Sequence, residues 1–131
     1  MILGFDPGRD KCGVAVMGKE RQLLYHQVVP SQEAIATLQQ LCQQFAIETI
    51  VMGDQTTAKS WKQKILQNLE ESVPIILVDE RYSTLEARDR YWQMYPPKGF
   101  GRLIPKGLRE PPRPIDDIVA ILLIERYFAG E

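Results

Sequence analysis

Three acidic positions fall where hydrophobic runs begin or end: Asp6 closes the apolar run 1–5, Glu80 follows 73–78, and Asp116 opens 118–124. Carboxylates a few ångströms apart repel strongly at low dielectric, and three persist together only if something positive neutralises them. Mg²⁺ or Mn²⁺ is the natural candidate, because hard oxygen donors suit these ions and no thiolate or imidazole cluster is present to recruit zinc. Two such ions can activate a water and stabilise the leaving oxygen of a phosphodiester, with Asp6 as the bridging carboxylate; the sequence does not count the ions. Read singly, Asp6 is a turn residue ahead of Pro7 and Gly8, Glu80 pairs with Arg81, and Asp116 favours a helix N-terminus. Asp54 adds an acid at the end of another apolar run, where helix capping is the preferred reading.

The elements that must position these acids follow from periodicity. Residues 1–5, 13–17 and 22–29 read as an antiparallel meander of three strands, with turns at Pro7-Gly8 and Gly18 and a stop at Pro30. His26 lies in the third strand and is given no catalytic role. Ser31 reads as an N-cap, with Ile35, Leu38, Leu41, Cys42 and Phe45 at helical spacing behind it. The runs 47–53 and 73–78 are β-branched and lack polar alternation, as parallel strands buried on both faces do. Between them, Thr56 and Thr57 offer caps for a second helix through Trp61, Ile65 and Leu69. Ser83 and Glu86 have the spacing of a capping box for a third helix reaching Met94. A last helix, 116–128, is apolar nearly all round and should be buried against a sheet. The order β-β-β-α-β-α-β-α-α implies an α/β fold with a mixed five-stranded sheet: strands 1–3 antiparallel, the remaining two parallel, and helices on both faces. In such sheets ligands bind at the carboxyl ends of the strands, where the three acids would gather.

The segment 95–114 differs in character: its prolines and glycines argue against a regular element, and it carries Lys98, Arg102, Lys106, Arg109 and Arg113 against the single acid Glu110. With Tyr95 and Phe100 it would suit phosphate contacts and a stacked base. Arg81, beside Glu80, is the other candidate for substrate binding. The whole chain is near neutral, with a formal charge of −1, so any polyanion contact must be local. At 131 residues it suits one domain, spanning 1–131. No apolar run approaches the roughly 18 residues of a membrane span, and the opening lacks the pattern of a secretory signal, so a cytoplasmic protein is expected. Cys12 and Cys42 show no metal-binding spacing and read as free thiols.

Three blocks carry a resemblance. Gly4-Phe5-Asp6-Pro7-Gly8 with Gly13-Val14-Ala15-Val16, then Asp79-Glu80-Arg81-Tyr82-Ser83-Thr84-Leu85-Glu86-Ala87, then Asp116-Asp117-Ile118-Val119-Ala120-Ile121-Leu122-Leu123, resemble the signature blocks of the YqgF/RuvX family, in the right order and across nearly the whole chain. The family comprises ribonuclease H-like nucleases related to the RuvC Holliday junction resolvases. The resemblance implies that Asp6, Glu80 and Asp116 are catalytic, metal-binding acids. Asp117 is held in reserve as a further ligand, since helical neighbours point about 100° apart. It also implies processing of the 5′ end of precursor 16S ribosomal RNA, or resolution of branched DNA, with dimeric resolvases as a precedent for a homodimer. The family usually follows its fourth strand with a glycine-leucine-proline turn, whereas this chain has Gly53-Asp54-Gln55-Thr56-Thr57. Two rivals remain at this point: an inactive module that binds RNA or a ribosomal partner, and a phosphate-loop ATPase, for which one domain is too short.

Overall fold

Strand β1 (Ile2–Asp6) is the middle of a five-stranded sheet because every side chain it carries can be buried, and all five of its residues are. The structure, a computed structural model, describes residues 1–70, 72–105 and 110–130. The order across the sheet is β3 (Leu23–Pro30), β2 (Lys11–Met17), β1, β4 (Thr49–Gly53) and β5 (Ile75–Val78). β1 pairs antiparallel with β2, β2 antiparallel with β3, and β4 runs parallel to both β1 and β5. This is the mixed sheet that the sequence pattern implies.

Alternation along the strands divides the core into two layers. Leu3, Phe5, Val14, Val16, Ile50 and Met52 pack on one face against α1 (Ala34–Gln44) and α2 (Ala58–Asn68). Ile2, Ala15, Met17, Val51 and Val78 pack on the other against α3 (Ser83–Met94) and α4 (Asp116–Phe128). Asp6 shares the parity of Ile2, so it falls on the α4 face. Helix α4 lies between the sheet and α3, and residues 118–124 are buried without interruption. A bidentate ion pair between Arg90 and Glu125, at 2.8 and 2.9 Å, fastens α3 to α4.

Four local expectations are corrected. The run 73–78 forms an edge strand rather than a doubly buried one: Ile76 and Leu77 are 40% and 45% exposed, because apolar composition alone does not separate a central strand from an outer one. Ser31 caps no helix. It opens a 3₁₀ turn, Ser31–Glu33, and its hydroxyl donates to the Gly8 carbonyl at 2.8 Å, tying the end of β3 to the turn that follows Asp6. The capping box at Ser83 is not formed either, since Glu86 instead pairs with Arg126 at 3.1 Å. Finally, the basic segment contains a 3₁₀ turn, Gly99–Leu103, which such short helices accommodate without a long run of regular backbone.

Candidate active site

Asp6 sits at the carboxyl end of β1, opposite Gly13 on β2. A Cβ on Gly13 would lie 1.8 Å from the Asp116 carbonyl oxygen, so only glycine lets the first turn of α4 settle onto the sheet beside Asp6. The other wall is built by the same device. A Cβ on Gly53, at the end of β4, would lie 2.2 Å from Glu80 Oε2, and the space glycine leaves is filled by the Glu80 carboxylate. Gly53 is paired with Val78, two residues before Glu80, which brings that acid back over the strand ends.

Asp6, Glu80 and Asp116 thereby line one pocket of about 340 Å³, together with Gln55, Ser83 and Thr84. Asp6 is only 7% exposed. Burial, then the neighbouring Asp116 and Glu80 charges, push its carboxyl up to about 8, against a smaller opposing effect from the Gln55 hydrogen bond. Glu80 is raised mainly by burial, which outweighs the Gln55 hydrogen bond, and Asp116 is raised mainly by burial. The Gln55 side-chain nitrogen donates to Asp6 Oδ1 at 3.1 Å and to Glu80 Oε2 at 2.9 Å.

The backbone that carries Glu80 is held from outside the pocket. Arg126, in the last turn of α4, donates to the carbonyls of Asp79 at 2.6 Å and Arg81 at 2.7 Å, one on each side of Glu80. Asp79 accepts from both the backbone N–H and the Nε of Arg81 at 2.9 Å, closing the turn on itself. Tyr82 follows at φ 63°, a left-handed conformation that costs a bulky residue about 1–3 kcal/mol and persists only where its surroundings fix it.

Asp117 is directed elsewhere. It is 2% exposed, its Oδ2 lies 2.6 Å from His26 Nδ1, and Arg113 meets its Oδ1 at 3.0 Å and Oδ2 at 3.3 Å. It lines a separate cavity with Lys11, His26 and Arg113. The roughly 100° between helical neighbours sends Asp116 to the acid pocket and Asp117 to this ion pair, so the structure does not support Asp117 as a ligand beside Asp116. Asp54 does not cap α2, which starts after Thr57; it accepts the Glu80 N–H at 3.4 Å.

Of the expected substrate contacts, Arg81 is exposed and paired with Asp79 at 2.8 Å, while Lys98 and Arg102 lie on the surface. Lys106, Arg109 and the side chain of Phe100 fall outside the described residues. Sequence reasoning missed Gln55, Gly53 and Arg126 as parts of the site. Only Gln55 left a signal, as part of a departure from the usual turn after the fourth strand.

The donor chemistry suits a divalent cation: three carboxylates and an amide, all able to present oxygen, without thiolate or imidazole. Among the described residues, no three His, Cys, Asp or Glu side chains already stand close enough to hold one ion. The group that meets both Asp6 and Glu80 is the amide.

A five-stranded sheet with an antiparallel meander β1–β3, parallel strands β4 and β5 beside β1, and acids at the carboxyl edge gives an α/β protein of ribonuclease H-like fold. The Thermus thermophilus RuvC structure superposes with a TM-score of 0.55 at 18% identity, covering 93% of this chain and 88% of that one. The chain belongs to the RuvX family, described as Holliday junction resolvase, whose model matches residues 1–130. It is 29% identical over 141 residues to a protein of Buchnera aphidicola subsp. Baizongia pistaciae (strain Bp) named "Putative pre-16S rRNA nuclease", across 98% of this chain and 96% of that protein.

Proposed function

We propose that this chain is a metal-dependent nuclease, its single domain spanning 1–131, that hydrolyses phosphodiester bonds in structured nucleic acid. The observation that carries this reading is the convergence of Asp6, Glu80 and Asp116 on one pocket at the carboxyl edge of the sheet. Their carboxylates would hold Mg²⁺ or Mn²⁺, which when bound supplies Lewis acidity toward the phosphoryl group and offsets the charge of the acids. Asp6, central and most buried, is the acid best placed to be shared if two ions bind. Arg81 and the basic segment with Lys98, Arg102, Lys106 and Arg109 would take flanking phosphates.

The 5′ end of precursor 16S ribosomal RNA is the favoured substrate, supported by the name of the relative that matches end to end; such a substrate would place the protein in the cytoplasm. The family description supports branched DNA as the second. The test is cleavage in Mn²⁺ of a panel of precursor ribosomal RNA, single-stranded RNA and a four-way DNA junction. Asp6→Asn and Glu80→Gln should each remove cleavage by at least a hundredfold while leaving the circular dichroism spectrum unchanged. Undiminished cleavage by both variants would refute the assignment. Tight binding of the RNA with no cleavage by the unaltered protein would favour an inactive binding module.

A further inference from the structure

Gln55 stands where β4 gives way to α2, and its strand lies between β1 and β5. Its side chain therefore reaches the gap between Asp6 at the end of β1 and Glu80 just past the end of β5. One amide nitrogen serves both acids, at 3.1 and 2.9 Å. These two separations have a second meaning. Mg²⁺ holds its oxygen ligands at about 2.0–2.1 Å in an octahedron, so adjacent ligands on one ion lie about 2.8–3.0 Å apart. The terminal atom of Gln55 is thus spaced from an oxygen of each acid much as one ligand is from its two neighbours around one ion.

A nitrogen cannot serve there, because an amide N–H₂ donates hydrogen bonds and has no lone pair to offer. Its partner oxygen can, and the two exchange places by a half-turn of the terminal amide. Mg²⁺ sites take few carboxylates and complete their shell with water and substrate phosphate oxygens, and a neutral amide oxygen can join the acids there without adding negative charge. We propose that Gln55 is a neutral ligand of the metal site beside Asp6, Glu80 and Asp116, presenting Oε1 to the cation once its side-chain amide has turned over.

This inference rests on the reading of Asp6 and Glu80 as metal ligands. It makes Gln55 a two-position group: a donor that keeps two acids together without a cation, and an acceptor when one is bound. A purely hydrogen-bonding role would have the opposite consequence, since the bridge would compete with the ion and its removal would help binding.

Mn²⁺ binding to the full chain, measured by isothermal titration calorimetry, separates the two roles. Gln55→Ala should weaken binding by tenfold or more, within or beyond the 10–100-fold range found when groups supporting metal ligands are lost. Gln55→Glu, which keeps an oxygen, should bind at least as tightly as the unaltered protein. Thermal melts in chelator establish that both variants are folded. In Mg²⁺ titrations followed by nuclear magnetic resonance, the Gln55 Cδ signal should shift, and its NH₂ protons should lose their carboxylate-bonded positions. Unchanged or tighter Mn²⁺ binding by Gln55→Ala, or NH₂ signals that stay put at saturating Mg²⁺, would overturn the proposal and leave the metal site standing. Full Mn²⁺ binding by Asp6→Asn, or none by the unaltered protein, would instead overturn the metal site and Gln55 with it.

Discussion

The chemistry of the pocket is set by how little water reaches Asp6. An acid whose native pKa is raised binds more protons folded than unfolded, so in the metal-free protein its contribution to stability is fully present below about 3.8 and is lost as pH rises toward about 8. Asp6→Asn removes this titration. In chelator, the melting temperature of the variant should therefore gain on that of the unaltered protein as pH is raised from 5 to 9; a difference that stays constant across that range would contradict the burial of Asp6. Asp6, Glu80 and Asp116 were legible in the sequence because each ends or opens an apolar run, and strand parity places Asp6 on the α4 face. Gln55 was not, since an amide in a turn follows no periodicity and its partners are 49 and 25 residues away in the chain. Choosing Asp116 over Asp117 needed the rotation of α4, which pattern alone leaves open.

At the scale of elements, strand and helix order could be read because short apolar, β-branched runs bounded by Pro, Gly and polar residues alternate with longer segments that are amphipathic or continuously apolar. The capping contacts could not: Ser31 and Ser83 have the residue types and spacing of caps, but their surroundings offer other partners, Gly8 to Ser31 and Arg126 to the glutamate three residues after Ser83. Arg126 shows what this hides. A cation in the last turn of a helix ordinarily complements the helix dipole, whereas here its side chain is 12% exposed and spans two carbonyls on either side of Glu80. Arg126 is a positioning residue, acting through the turn. Arg126→Ala should lower stability by about 1.5–3 kcal/mol, the range for hydrogen bonds from a charged donor. It should also weaken Mn²⁺ binding, because Glu80 loses its backbone anchor. Arg126→Lys should recover less than half of either effect, since one ammonium cannot reproduce the planar fork. Metal affinity unchanged in Arg126→Ala at a temperature where it is folded would limit the residue to stability alone.

The whole molecule must bring a polyanion to a pocket of acids while carrying a net charge of −1. Attraction then depends on where the cations lie and which of them are already engaged. Arg113 is engaged within the chain, by Asp117 and over the rings of Tyr91 and Tyr95 at 5.3 and 5.8 Å, and so secures the end of the basic segment. Lys98 and Arg102 lie exposed beside and within the Gly99–Leu103 turn, and neither is among the residues lining the acid pocket. Their role should therefore be separable from that of the acids. In an Asp6→Asn background, which permits binding to be measured without cleavage, replacing Lys98 and Arg102 by Ala should weaken affinity for precursor ribosomal RNA. The slope of log K against log salt should become shallower by about 1.4 to 1.8, at roughly 0.7 to 0.9 for each phosphate no longer neutralised. The same double replacement in the otherwise unaltered protein should leave Mn²⁺ affinity within twofold. An unchanged salt slope would move the phosphate-binding role to Arg81 and other surfaces, whereas a disrupted metal site would mean that the segment supports the pocket rather than the substrate.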